Sequence, residues 1–246
     1  MNARRGLLKA LAAGAALWLL GTFAKLLPRQ TARAQDAAAT NGQGARLLPN
    51  GRFANNYIPP VDRSIFDVRK AFAEGFPPEL GFELAAKDPA ALAANRTRPS
   101  ATWIGHCTLL VQAGGLNILT DPHFTERASP LPFAGPKRTT PPGLALAELP
   151  PIDVVLVSHN HYDHLDYRSI QELKEHSPAA RYYVPLGLKK WFEKAGVANC
   201  VERDWWQEDE VAGAKVTAVP CQHWSNRSGF DRNRTLWCAW TLETGG

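Results

Sequence analysis

Residues 154–169 read VVLVSHNHYDHLDYRS, four apolar residues running straight into three histidines and two aspartates. Within the wider run IDVVLVS, 152–158, Val154 to Val157 are continuously apolar, the pattern of a strand covered on both faces rather than one with a wet side. A strand end is a rigid platform for a functional loop, so the polar cluster is well placed to carry chemistry. In HNHYDH, His159 and His161 stand two apart and can converge from an extended loop onto one ion, while the adjacent Asp163 and His164 address a second ion beside it. Neutral imidazole nitrogen and carboxylate oxygen are zinc ligands at about 2.0–2.2 Å. Two such ions roughly 3.5–4 Å apart hold a hydroxide and clamp both oxygens of an in-line displacement.

Working outward, TWIGHCTLLVQAGGLNILTDP (102–122) reads as two strands joined by a turn at Ala113-Gly114-Gly115. Beyond the histidines, Asp166 is placed to cap a short helix running through Leu173 and Lys174. RYYVP then reads as strand, GLKKWFEKAG as a helix with Leu188, Trp191 and Phe192 inward, KVTAVP as strand, and TLWCAWTLET (235–244) as strand again. Strands interleaved with helices predict a layered α/β domain over 100–246. The preceding segment, 35–99, is rich in Ala, Pro and Asn and reads as an extension packed on that core. It holds one helix, capped by Ser64, with Ile65, Val68 and Phe72 on one face and Gly75 as its stop.

Residues 1–34 place Arg4, Arg5 and Lys9 before an Ala/Leu-rich stretch of about 15 residues, short of the roughly 20 a bilayer span needs, and then Ala32-Arg33-Ala34. That is the layout of an export signal cut after Ala34, and RRGLLK resembles a twin-arginine motif. An ordinary secretory signal and an uncleaved inner-membrane anchor are the alternatives; either export route delivers a periplasmic protein. The segment also explains the basic balance. Its removal takes six of the 28 basic residues and none of the 23 acidic ones, turning a formal +5 into −1, so the charge gives no reason to expect nucleic acid. Four cysteines, Cys107, Cys200, Cys221 and Cys238, lie in neither CxxC nor zinc-ribbon spacing; pairing is open to them in an exported chain. Cys107 and Cys238 fall in apolar runs and read as small buried hydrophobes. The chain carries no GxSxG elbow, P-loop or GxGxxG, and a Cys221-x-His223 nucleophile pair would compete with a metal role for that histidine.

HNHYDH is the signature of the metallo-β-lactamase superfamily. The surrounding stretches TWIGHCTLLVQ, LTDPHFTERASP, GPKR, PPGLALAELPPIDVVLVSHNHYDHLDYRS, VPLGLKKWF, DWW and QHW resemble one branch, the N-acylphosphatidylethanolamine-hydrolysing phospholipase D family, over residues 100 to 242. The resemblance implies an αββα sandwich and two zinc ions, one held by His159, His161 and His223 and the other by Asp163 and His164, which would also serve the catalytic step. It implies that Asp121 supports a ligand histidine. It further implies hydrolysis of N-acylphosphatidylethanolamine-type phospholipid, at a membrane surface, to phosphatidic acid and N-acylethanolamine, with a lactonase, a soluble phosphodiesterase or an inactive metal- or lipid-binding fragment as alternatives. A homodimer is also open. His223 is independently plausible, since it follows the apolar VTAVPC as His159 follows VVLVS.

Other polar residues divide less sharply. His106 reads first as a hydrogen-bonded strand histidine, His123 and His176 receive no role, and Lys137 with Arg138 read equally as a phosphate contact or a solvated turn. TLWCAWTLETGG ends as a strand with no return partner in the sequence, which predicts an N-terminal fragment of a longer enzyme, incomplete at its C-terminus. In the resembling family an aspartate that bridges the ions and a last histidine lie further on. On that count the second ion keeps only Asp163 and His164, and the expectation is that the 246 residues hold at most one zinc well and are alone poorly folded and inactive.

Overall fold

The structure, a computed structural model, describes residues 44–56 and 83–245, which fall within one compact unit. The export signal expected at 1–34 and the helix expected at 64–75 lie outside the described residues.

The elements are β1 (Arg46–Leu47), β2 (Phe53–Ala54), α1 (Pro89–Ala94), β3 (Ser100–Gly105), β4 (Thr108–Ala113), β5 (Leu116–Thr120), β6 (Val154–Leu156), α2 (Tyr167–His176), β7 (Arg181–Pro185), α3 (Lys189–Lys194), β8 (Cys200–Arg203), β9 (Glu208–Val211), β10 (Ala214–Val219) and β11 (Ala239–Thr244). A six-stranded sheet runs β3-β4-β5-β6-β7-β8, antiparallel from β3 to β5 and parallel from β5 to β8. A smaller antiparallel sheet runs β11-β10-β9.

Strand alternation sorts the apolar residues between two layers. Leu119, Val155, Tyr182 and Val184 face Ile170 and Leu173 of α2 and Phe192 of α3. Ile118, Val154, Leu156 and Tyr183 point the other way, onto Val216 of β10 and the flanking Trp240 and Leu242 of β11. Each of Val154, Val155 and Leu156 is buried in one of these layers, contributing about 1.5–3 kcal/mol apiece. Helix layer, large sheet and small sheet are thus stacked in order; a second helix layer is not among the described residues.

Helix α2 starts where expected. Asp166 lies outside helical conformation and its carboxylate accepts from the Ser169 amide at 3.0 Å, while Lys174 and His176 lie in the last turn, where positive charge suits the helix dipole. Helix α3 buries Leu188 and Phe192 as expected and leaves Trp191 partly exposed.

Three sequence expectations need correction. The run 102–122 holds parts of three strands, because β3 and β4 are separated by a sharp turn at His106-Cys107 in which Gly105 and His106 both take positive φ, 150° and 51°. Cys107 therefore sits in a turn, half-buried, rather than within a strand. The last strand begins at Ala239 and not Thr235; Leu236, Trp237 and Cys238 are buried in a separate cluster with Phe53 and Trp205, which accounts for their apolar character without strand pairing. All four cysteines are free.

Candidate metal centre

The centre forms where the parallel strands end. Thr120 of β5 pairs with Leu156 of β6, so the residues that follow, Asp121 and Ser158, leave the sheet side by side. Asp121 takes φ 36°, a conformation uncommon outside glycine, and its carboxylate accepts from the Ser158 amide at 2.7 Å and the Ser158 hydroxyl at 2.8 Å. The same carboxylate holds His164 Nδ1 at 2.8 Å, which turns Nε2 of that ring outward.

His159 is 4% exposed, and its Nε2 lies 2.8 Å from His161 Nδ1 and 3.0 Å from His223 Nε2. A single ring nitrogen cannot satisfy two others at once through one proton, whereas one cation shared among three lone pairs can, so these three donors fit a metal ion. His159 Nδ1 meets the Ser158 hydroxyl at 2.8 Å, which fixes the ring and keeps Nε2 for the cluster. Asp163 Oδ2 lies 3.6 Å from His164 Nε2. The structure therefore brings together all six residues singled out from the sequence, His159, His161, Asp163, His164 and His223 at the cluster and Asp121 behind them.

Protonation favours cation binding at the first position. Burial, reinforced by the neighbouring rings, pushes His159 far below the ordinary histidine range, and the same causes bring His161 down to about 4 and lower His223, so all three are neutral at pH 7. Burial also acts to raise Asp163, but the hydrogen bond from His106 and the charge of His164 overcome it and hold the carboxylate ionised. Burial opposes the charged form of His164 as well; there the Asp121 hydrogen bond prevails and pushes it up to about 10, so a cation binding at Nε2 displaces a proton.

These shifts set a pH window. His161 titrates near 4 in the fold against an ordinary 6.5, so between those values the unfolded chain binds more protons than the folded one. Stability and metal retention are both expected to fall as pH drops from 6.5 to 4, and the His161→Gln protein should show a shallower acid transition in urea titrations across that window.

Two residues that hold the centre left no signal in the sequence. Asn55, which follows β2 far upstream, donates its Nδ2 to the His223 carbonyl at 2.9 Å and accepts from the His223 amide at 3.2 Å. Arg227 donates to the carbonyls of Asn160 and Leu165 at 3.0 and 2.6 Å and lies over the Tyr162 ring at 4.1 Å, clamping the HNHYDH loop. Neither partnership follows any spacing, since more than 60 residues separate the partners.

His106 also departs from its strand reading. It sits in the turn after β3, where positive φ swings the ring out of the sheet, and Nε2 lies 3.0 Å from Asp163 Oδ2. Lys137 pairs with Glu126 at 2.9 Å in solvent, as a solvated turn would, but Arg138 turns inward and donates to the His123 carbonyl at 2.9 Å. His176 meets the Ser177 hydroxyl at 2.9 Å, remote from the cluster.

A family model described as a beta-lactamase superfamily domain matches residues 116–246, which include Asp121, His159, His161, Asp163, His164 and His223. The chain belongs to the beta-lactamase superfamily. Its stacked sheets are the metallo-β-lactamase fold, with the histidine and aspartate cluster on the loops that leave the strand ends. Among curated relatives of this superfamily member, N-acyl-phosphatidylethanolamine-hydrolyzing phospholipase D 1 of Caenorhabditis elegans is 41% identical over 151 residues, 58% of this chain and 42% of that protein. The mitochondrial N-acyl-phosphatidylethanolamine-hydrolyzing phospholipase D of Saccharomyces cerevisiae is 37% identical over 145 residues, 57% of this chain and 31% of that protein. Among solved structures, CmlA, a diiron beta-hydroxylase from Streptomyces venezuelae, matches with a TM-score of 0.45 at 24% identity, covering 60% of this chain and 28% of that one. The chain thus spans well under half the length of these relatives.

Proposed function

We propose that the protein is a zinc-dependent phosphodiesterase that cleaves N-acylphosphatidylethanolamine-type phospholipid to phosphatidic acid and N-acylethanolamine. The observation that carries the reading is the convergence of His159 Nε2, His161 Nδ1 and His223 Nε2 on one point, with Asp163 and His164 beside it, in a chain whose curated relatives carry that activity in their names. Histidine and carboxylate donors suit zinc, and also iron and manganese, so elemental analysis is part of the test. A pair of divalent cations, when bound, lowers the pKa of water and neutralises charge on phosphate oxygens.

The chain's own residues supply the rest. Three neutral imidazoles leave the charge of a cation at the first position undiminished, and the Asp163 carboxylate offsets part of that at the second. Asp121 and Ser158 lock the rings of His164 and His159 so that their free nitrogens point at the cluster without reorganisation. The surroundings suit a lipid. Trp224 stands edge-on to His161 with ring centroids 4.4 Å apart, and Trp103 donates its indole N–H to the His106 carbonyl at 2.9 Å; both remain exposed, so indoles flank the donors on two sides. Indoles of this kind favour the boundary between apolar and aqueous phases.

The deciding experiment presents vesicles containing N-acylphosphatidylethanolamine to the zinc-loaded protein and measures released N-acylethanolamine by mass spectrometry. Release supports the reading; turnover of a lactone or a soluble phosphodiester in its place, or lipid binding without turnover, overturns it. We also propose that the protein is exported by a twin-arginine signal and acts in the periplasm. A mature N-terminus at Gln35, lost on replacing Arg4 and Arg5 by Lys, is the expected result.

A further inference from the structure

We infer that His106 is a third protein ligand at the second cation position, alongside Asp163 and His164. The inference rests on the metal reading above and adds a donor that the sequence count of that position omitted.

The geometry is that of a coordination face. His106 Nε2 lies 3.0 Å from Asp163 Oδ2 and 3.3 Å from His164 Nε2, and the latter two atoms are 3.6 Å apart. Donors placed about 2.0–2.1 Å from one tetrahedral ion stand roughly 3.3–3.4 Å from one another, so this triangle has the size of one face of a zinc tetrahedron. The second nitrogen of His164 is already committed to Asp121 at 2.8 Å, so Nε2 is the atom that the fold leaves for a ligand role. The carboxylate of Asp163 supplies the negative charge that the all-imidazole first position lacks.

The main chain is shaped to deliver this ring. The β3–β4 register slips between Trp103 and Gly105, and His106 then adopts φ 51° in a turn only two residues long. Gly105, at φ 150°, is packed against the Arg138 guanidinium so closely that a Cβ there would stand 3.2 Å from Nη1. Arg138 is tied in turn to the His123 carbonyl, and the His106 carbonyl accepts the Trp103 indole N–H at 2.9 Å. A solvent-facing histidine has no need of a turn braced from both sides. The side chain of His106 is 48% exposed, which puts this donor on the open face of the centre, where a substrate would approach.

Cys107 is the competing donor, since His106, Cys107 and His164 also form a close group. A thiolate on cobalt(II) gives an intense near-ultraviolet charge-transfer band, whereas imidazole does not, which separates the two. The test is a cobalt(II) titration of the protein followed by absorption, with metal content by mass spectrometry. The native protein is expected to take up two equivalents with no sulfur band. His106→Ala should keep the first and lose the second by more than about 100-fold, exceeding the roughly 10–100-fold that loss of a supporting partner costs. His106→Cys should recover the second equivalent and gain the sulfur band while keeping the native circular dichroism spectrum, which separates a rebuilt site from metal bound by thiols of a misfolded chain. Cys107→Ala should match the native protein. Two equivalents in His106→Ala, uptake of only one by the native protein, or a native sulfur band that disappears in Cys107→Ala would each overturn the inference while leaving the first position intact. Uptake of no metal by any form would instead remove the metal reading on which it rests.

Discussion

A His159→Ala protein is expected to keep its circular dichroism spectrum, to lose the metal of the first position while the second position keeps its own donors, and to lose hydrolysis by three orders of magnitude or more, which is about 4 kcal/mol of transition-state stabilisation. His159 is the hub of the first position: its Nε2 is the common neighbour of His161 Nδ1 and His223 Nε2, and without it the remaining pair offers two donors where structural and catalytic zinc sites use at least three from the protein. The fold should survive, because the strand that carries the loop is anchored by Val154, Val155 and Leu156 and not by the ring, and because removing His159 relieves the crowding of three neutral imidazoles. His176→Ala is the control. That ring lies in the last turn of α2 against the Ser177 hydroxyl, and its loss should leave metal content and hydrolysis within twofold of native. Full metal occupancy in His159→Ala would show that the cluster is a hydrogen-bonded histidine network.

The parallel strands β6 and β7 were legible because burial on both faces leaves a continuous apolar run, and α2 because its cap and inward residues recur at helical spacing. Strands β8 and β9 were not. Their sequences, CVER and EDEV, are largely polar, and their place in the sheets is set by pairing with β7 and β10 and by ion pairs such as Arg181 and Arg203 with Asp209 at 3.0 and 3.1 Å. The donors within HNHYDH could be read locally, since the loop that joins them is six residues long. His106 could not, because its reach depends on backbone conformation: as a strand residue it would face the sheet surface, and only the positive φ at 105 and 106 brings it to Asp163. Asn55 was invisible for a different reason. It acts on the main chain of His223 through a pairing of segments 168 residues apart, and nothing in NGRFANN announces a partner.

That remote tether makes Trp237 a core residue on which the centre depends. The side chain is fully buried, packed edge-on to Trp205 at 74°, and its indole N–H is shared between Asn55 Oδ1 and the Cys221 carbonyl, each at 3.0 Å. It therefore holds both ends of the segment that presents His223: Asn55, which grips the His223 main chain, and Cys221, two residues before it. Trp237→Ala removes a large ring from a close-packed cluster of Phe53, Trp205, Ala218 and Leu236, a change that costs about 3–5 kcal/mol, and it also frees Asn55 to rotate away. Trp237→Phe keeps most of the volume and loses the shared donor, for which the expected cost is about 1–2 kcal/mol. Metal affinity should follow the same order, since both changes act on His223 through its support: weaker by roughly 10–100-fold in Trp237→Ala and by less in Trp237→Phe. Urea denaturation of the metal-stripped proteins gives the stabilities, and competition with a zinc chelator gives the affinities under conditions where each variant is still folded. Equal zinc affinity in native and Trp237→Ala protein, alongside the stability loss, would mean that His223 is positioned by its own loop and that the Asn55–Trp237 pair serves only the core.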